Sequence, residues 1–79
     1  MPRRRARSQP VARLWDLAWN DDRLSCAVYR VGRGLEMRLE SGSKTIFTEP
    51  FQIQPRSLAR AHALKRSLER RGWRGAPTS

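Results

Sequence analysis

The sequence is poorest in what a catalyst or an exported protein needs. It holds one cysteine, Cys26, and one histidine, His62. A lone thiol closes no internal disulfide and suits a reducing compartment. One Cys and one His do not make a metal-ligand set, and we expect neither metal nor cofactor. No nucleophile, base and orienting group fall into a recognisable pattern, so we expect a protein that is not an enzyme. No glycine-rich phosphate loop joins a strand to a helix; Gly32-Arg33-Gly34 reads as a hairpin turn. Apolar runs are short. None approaches the ~18 residues of a membrane span or reads as the apolar core of a signal peptide. The expectation is a cytoplasmic protein that does not enter membranes.

Acidic residues are also scarce, seven against seventeen Lys and Arg, which leaves a net charge of +10. Lysine itself is nearly missing, with only Lys44 and Lys65 among the bases. The excess is unevenly spread. Residues 1–10 carry Arg3, Arg4, Arg5 and Arg7 and no acid, while residues 11–54 carry six bases and six acids. Residues 55–79 carry seven bases against Glu69 alone. Such asymmetry points to an anionic partner met by the two ends of the chain.

At 79 residues there is room for one domain with a small core. We expect a disordered basic arm over residues 1–10, a single domain over 11–73 and a flexible tail over 74–79. A folded part of roughly 60 residues is marginal alone, which makes a homodimer a natural option.

The most explicit segment is Pro55 to Trp73. Leu58, Ala61, Leu64 and Leu68 recur at helical spacing and share one side. Pro55 suits the first turn, and Gln54 precedes it. Arg70 and Arg71 suit the negative end of the helix dipole. Gly72 can take the left-handed position past the end, with Trp73 folding back on Leu68.

Before this helix the pattern is strand-like. Val11 to Trp19 places Trp15, Leu17 and Trp19 on one face and Asp16 on the other. Arg23 to Val31 alternates Leu24, Cys26 and Val28 with Ser25, Ala27 and Tyr29. Leu35 to Glu40 alternates Leu35, Met37 and Leu39 with Glu36, Arg38 and Glu40. Asn20-Asp21-Asp22, Gly32-Arg33-Gly34 and Ser41-Gly42-Ser43 supply turns. Lys44 to Glu49 gives a fourth strand, and Pro50 suits an edge or a bulge. One wet face implies an antiparallel sheet. The expected class is α+β: an antiparallel β-meander of three to four strands with one C-terminal amphipathic helix packed on one face, ββββα.

At 100° per residue, Arg56, Arg60, Arg66, Arg70 and Arg71 fall opposite the apolar stripe. A solvated helix face is the ordinary alternative, but such faces usually mix signs. Clustered guanidinium groups suit phosphate oxygens, which they meet as a fork. Arg3, Arg4, Arg5 and Arg7 can neutralise phosphates as basic arms do. Trp15, Trp19 and Trp73 read as core or core-edge residues, Cys26 as a small core residue and His62 as a structural or surface histidine. Tyr29, on the wet face, is the better candidate for stacking on a base.

The runs Leu14-Trp15-Asp16-Leu17, Gly34-Leu35-Glu36-Met37-Arg38-Leu39 and Leu68-Glu69-Arg70-Arg71-Gly72-Trp73, with Cys26 between them, resemble short uncharacterised bacterial proteins. That resemblance covers most of residues 14–73 and implies one compact domain, with no assigned activity to carry over. The ββββα order is also similar to the single-stranded-DNA-binding fold of the Whirly coactivators and their kin, which bind through the sheet. Here the sheet segment has no net charge, so the helix and arm are the expected binding elements. The functional expectation is a non-enzymatic module that binds nucleic acid or another polyanion with little sequence specificity. The alternative is an interaction or structural module, homodimeric or with an acidic protein partner.

Overall fold

The computed structural model describes residues 8–75. Four strands follow one another, β1 (Ser8–Trp19), β2 (Asp22–Val31), β3 (Gly34–Ser41) and β4 (Lys44–Phe51). Helix α1 (Pro55–Arg70) and a two-residue strand β5 (Arg74–Gly75) complete the chain. All neighbouring strands are antiparallel, in the order β4-β3-β2-β1-β5. This is the α+β meander with a C-terminal helix that the pattern predicts, with a fifth strand added.

Two boundaries differ from the sequence reading. Ser8, Gln9 and Pro10 fall in the stretch expected as arm, yet they pair with Val31, Arg30 and Tyr29. Arg74 and Gly75 fall in the stretch expected as tail, yet they pair with Ala18 and Leu17. In both cases the partner is backbone, which carries a donor and an acceptor whatever the side chain. Residues 1–7 and 76–79, the remainder of arm and tail, lie outside the described residues.

Each hairpin closes over two residues, and the first of them has positive φ: Asn20 at 57°, Gly32 at 60° and Gly42 at 63°. Asparagine and glycine are the residues that take this conformation at least cost. The register then aligns Leu17 with Leu24, Cys26 with Leu39 and Val28 with Met37. These side chains form the core with Trp15, Phe51 and Ala61, and Leu17 and Cys26 are fully buried. Pro50 lies inside β4 and is tolerated there because β4 is an edge.

Helix α1 leaves the sheet from β4 and ends beside β1, covering one face on the way. Its single fully buried residue is Ala61. The indole Nε1 of Trp15 donates to the Ala61 carbonyl at 2.9 Å, tying β1 to the helix. That contact centres the buried side between Ala61 and Leu68, so Leu58, at the margin of the apolar stripe, is 42% exposed. The helix end is a Schellman motif. Trp73 N donates to Leu68 O and Gly72 N to Glu69 O, each at 3.1 Å. Gly72 sits at φ +116°, and a Cβ there would meet only the Trp19 ring, at 3.9 Å. The penalty for a side chain is therefore in the backbone. Gly72→Ala is expected to lower stability by about 1–2 kcal/mol, read as a lower urea midpoint at unchanged slope.

Candidate nucleic-acid interface

Of the helix arginines singled out from the sequence, Arg56, Arg66 and Arg70 lie on the outward face, and all three are exposed. None of them enters an ion pair among the described residues. Arg66 and Arg70 are four apart and so are neighbours on the helix surface. Arg56 stands about 15 Å from Arg66 along the axis, toward the helix start. The first turn holds no acid, and exposed Ala59 and Ala63 separate Arg56 from Arg66, so the free positive charge of the outward face lies toward its two ends.

Arg60 behaves differently. Its Nε and Nη2 donate to the two carboxylate oxygens of Glu49 at 3.2 and 3.3 Å. Glu49 pairs with Met37 in the sheet and so shares the face that α1 covers. A contact between residues eleven apart in sequence is set by the crossing of helix and edge strand, which helix periodicity alone does not reveal. Arg71 is the C-cap and is exposed. Arg3, Arg4, Arg5 and Arg7 lie outside the described residues. The strand they precede starts at Ser8, opposite Val31. That is the end of the sheet from which α1 also departs.

The open face of the sheet holds a set of matched charges, while Arg23, Arg30, Arg33 and Lys44, toward the strand ends and turns, are exposed and enter no ion pair among the described residues. Asp16 accepts from Ser25 Oγ at 2.6 Å and from Arg13 Nη1 at 3.2 Å. Arg38 Nε donates to Glu36 at 2.7 Å, and its guanidinium carbon stands 4.1 Å from the centre of the Tyr29 ring. Tyr29 OH donates to both Glu40 oxygens, the shorter at 2.9 Å. Burial first, then the Glu40 hydrogen bond, pushes the Tyr29 phenol above its usual pKa. One face of Tyr29 is thus occupied by Arg38. This leaves less of the Tyr29 ring for the stacking role the sequence suggested.

The tryptophans divide. Trp15 is buried as expected, whereas Trp19 is 47% exposed. Trp73 is half-buried and meets Trp19 edge to face, with ring centres 5.6 Å apart at 81°. A shallow depression of about 400 Å³ beside them is lined by Glu69, Gly72, Trp73, Arg74 and Gly75. Cys26 is sealed in the core, and His62 is exposed on α1. Among the described residues no three His, Cys, Asp or Glu side chains are placed to hold a metal ion. No described helix is long and apolar enough to cross a membrane.

No protein-family model, curated protein or solved structure matches the chain. Of the likenesses drawn from the sequence, the ββββα order is the part the structure bears out.

Proposed function

We propose that this chain is a non-enzymatic module that binds nucleic acid, or another polyanion, along the outer face of α1. The observation that carries the reading is the set Arg56, Arg66 and Arg70, exposed and outside every ion pair among the described residues. On the sheet and its turns Arg13 and Arg38 are paired with acids, whereas Arg23, Arg30, Arg33 and Lys44 are exposed and outside every ion pair among the described residues, so what sets the helix apart is that its free arginines share one face. Guanidinium groups on one helix face pair with phosphates and release condensed counterions, a gain that ignores sequence. Low specificity follows, since no side chain is singled out to read base edges. Arg71 extends the face at the helix end, and Arg3, Arg4, Arg5 and Arg7 are auxiliary.

The test is fluorescence anisotropy with a labelled oligonucleotide between about 50 and 200 mM salt, where phosphate-driven binding weakens steeply. Changing Arg66, Arg70 and Arg71 together to Gln is expected to weaken binding about tenfold or more and to flatten the salt slope by about two. Arg60→Gln is expected to have the smaller effect, because Arg60 is already engaged by Glu49. Wild-type protein that binds no strand at low salt removes the reading.

A second reading, an interaction module that pairs with another copy of itself, is favoured by exposed Ile46, Ile53 and Leu58 around β4 and the start of α1. Its mark is a mass that rises with concentration, measured by sedimentation, without oligonucleotide binding.

A further inference from the structure

We propose that Trp19, at the corner where α1 ends, is a stacking platform for an unpaired base, so that the polyanion is a single-stranded nucleic acid. The proposal rests on the reading of α1 as a phosphate-binding face and adds a second kind of contact to it.

Trp19 closes β1 and leaves nearly half of its side chain in water. The ring is nevertheless held. Trp73 meets it edge to face, and the Gly72 backbone passes close enough that an added Cβ would lie 3.9 Å from the ring. The pairing of Arg74 with Ala18 fixes the chain just beyond Trp73 against the strand that carries Trp19. A large aromatic surface that is both rigid and wet loses little freedom when a flat partner lands on it. In these respects it differs from Trp15, which is sealed in the core, and from Tyr29, one face of whose ring already carries Arg38.

The surroundings select the partner. Arg70, Arg71 and Arg74 flank Trp73 in the chain and are exposed, so cations for a backbone stand within a few residues of the ring. Glu69 is the acid on the rim of the adjoining depression, and its charge disfavours a phosphate inside. Trp19 lies outside the lining of that depression, so the base is placed on the exposed part of the Trp19 ring and the phosphates on the arginines nearby. Bases within a duplex already stack on one another and offer only their edges to a groove. A single strand offers whole faces, and every base has one.

The experiment compares three probes of equal phosphate number with the full chain: an oligothymidine, the same backbone without bases, and a duplex. Binding is read by anisotropy and by quenching of tryptophan emission. The oligothymidine is expected to bind about five- to tenfold more tightly than the abasic strand and to quench emission more strongly. Trp19→Ala is expected to erase that preference, so that oligothymidine and abasic strand bind it equally. Trp19→Phe, which keeps a ring at the corner, is expected to retain part of it and covers the case in which the alanine variant does not fold. Equal affinity for oligothymidine and abasic strand overturns the stacking proposal while leaving the phosphate-binding reading intact. Failure to bind any probe overturns both. A full preference surviving in Trp19→Ala removes Trp19 from the role.

Discussion

Trp15→Ala is expected to leave the chain largely unfolded at room temperature. Trp15 belongs to the buried cluster, only 5% exposed, and its indole nitrogen is bonded across to the Ala61 carbonyl. Truncating a buried tryptophan costs about 3–5 kcal/mol through lost transfer energy and the cavity left behind. Domains hold only about 0.05–0.15 kcal/mol of stability per residue, and with so small a core this chain belongs at the low end, about 4 kcal/mol, which the loss matches. The helix suffers most, because its one fully buried residue is the Ala61 that rests on this indole. Trp15→Phe separates the two contributions. It keeps most of the apolar volume and loses the side-chain hydrogen bond, at about 1–2 kcal/mol. The Ala61 carbonyl retains its helical partner, so no buried acceptor is orphaned. Far-ultraviolet circular dichroism with urea titration of both variants makes the comparison. A Trp15→Ala protein that unfolds cooperatively near the wild-type midpoint contradicts the docking of α1 through Trp15.

The second large effect is alkaline instability. Cys26 is fully buried, and its thiol pKa is pushed up from 9.0 to about 11, by burial first and then by the charges of Glu49 and Glu40. In the unfolded chain the thiol ionises at its ordinary value. The folded state therefore keeps a proton that the unfolded state gives up. Stability is full below about pH 9 and falls as pH rises toward about 11, by on the order of 2 kcal/mol. Tyr29 moves the same way, since its raised pKa delays ionisation in the folded state, and its share is lost above pH 10. Urea midpoints at about pH 8 and 10.5 are expected to differ clearly in the wild type. Cys26→Ala should narrow the difference, at a cost of roughly 1 kcal/mol at neutral pH from the smaller side chain. An equal alkaline loss in both proteins would place its source elsewhere.

How far the sequence carries depends on the range of the interaction. Helix α1 is legible because proline, apolar spacing and glycine act within a few residues of one another, and the observed helix begins at Pro55 with the Schellman end at Gly72. The strand alternation is legible for the same reason, as Met37 and Leu39 show by being buried while Arg38 is not. What lay beyond reach was set by distant neighbours. Ser8 to Pro10 and Arg74–Gly75 become strands only because β2 and β1 offer them backbone partners. Arg60 has the spacing of a free surface arginine, and only the passage of α1 over β4 delivers it to Glu49. Trp19 keeps the alternation of Trp15 and Leu17 but comes at the end of its strand, beside the end of the helix cover. Its spacing marks a face; its position along the strand decides its exposure.

The two long rims of the sheet are irregular in a way that governs behaviour at high concentration. On β1 the pairing slips at Val11 and at Leu14, and on β4 it slips at Ile46, with Pro50 further along. Each slip bends the strand and leaves one residue out of step, and proline withholds a donor. β5 caps part of β1 and leaves less of it free. A straight row of free amides and carbonyls would template a strand from another molecule and extend into a fibre. The slips and Pro50 interrupt both rims, so strand-by-strand growth of concentrated folded protein is expected to be disfavoured.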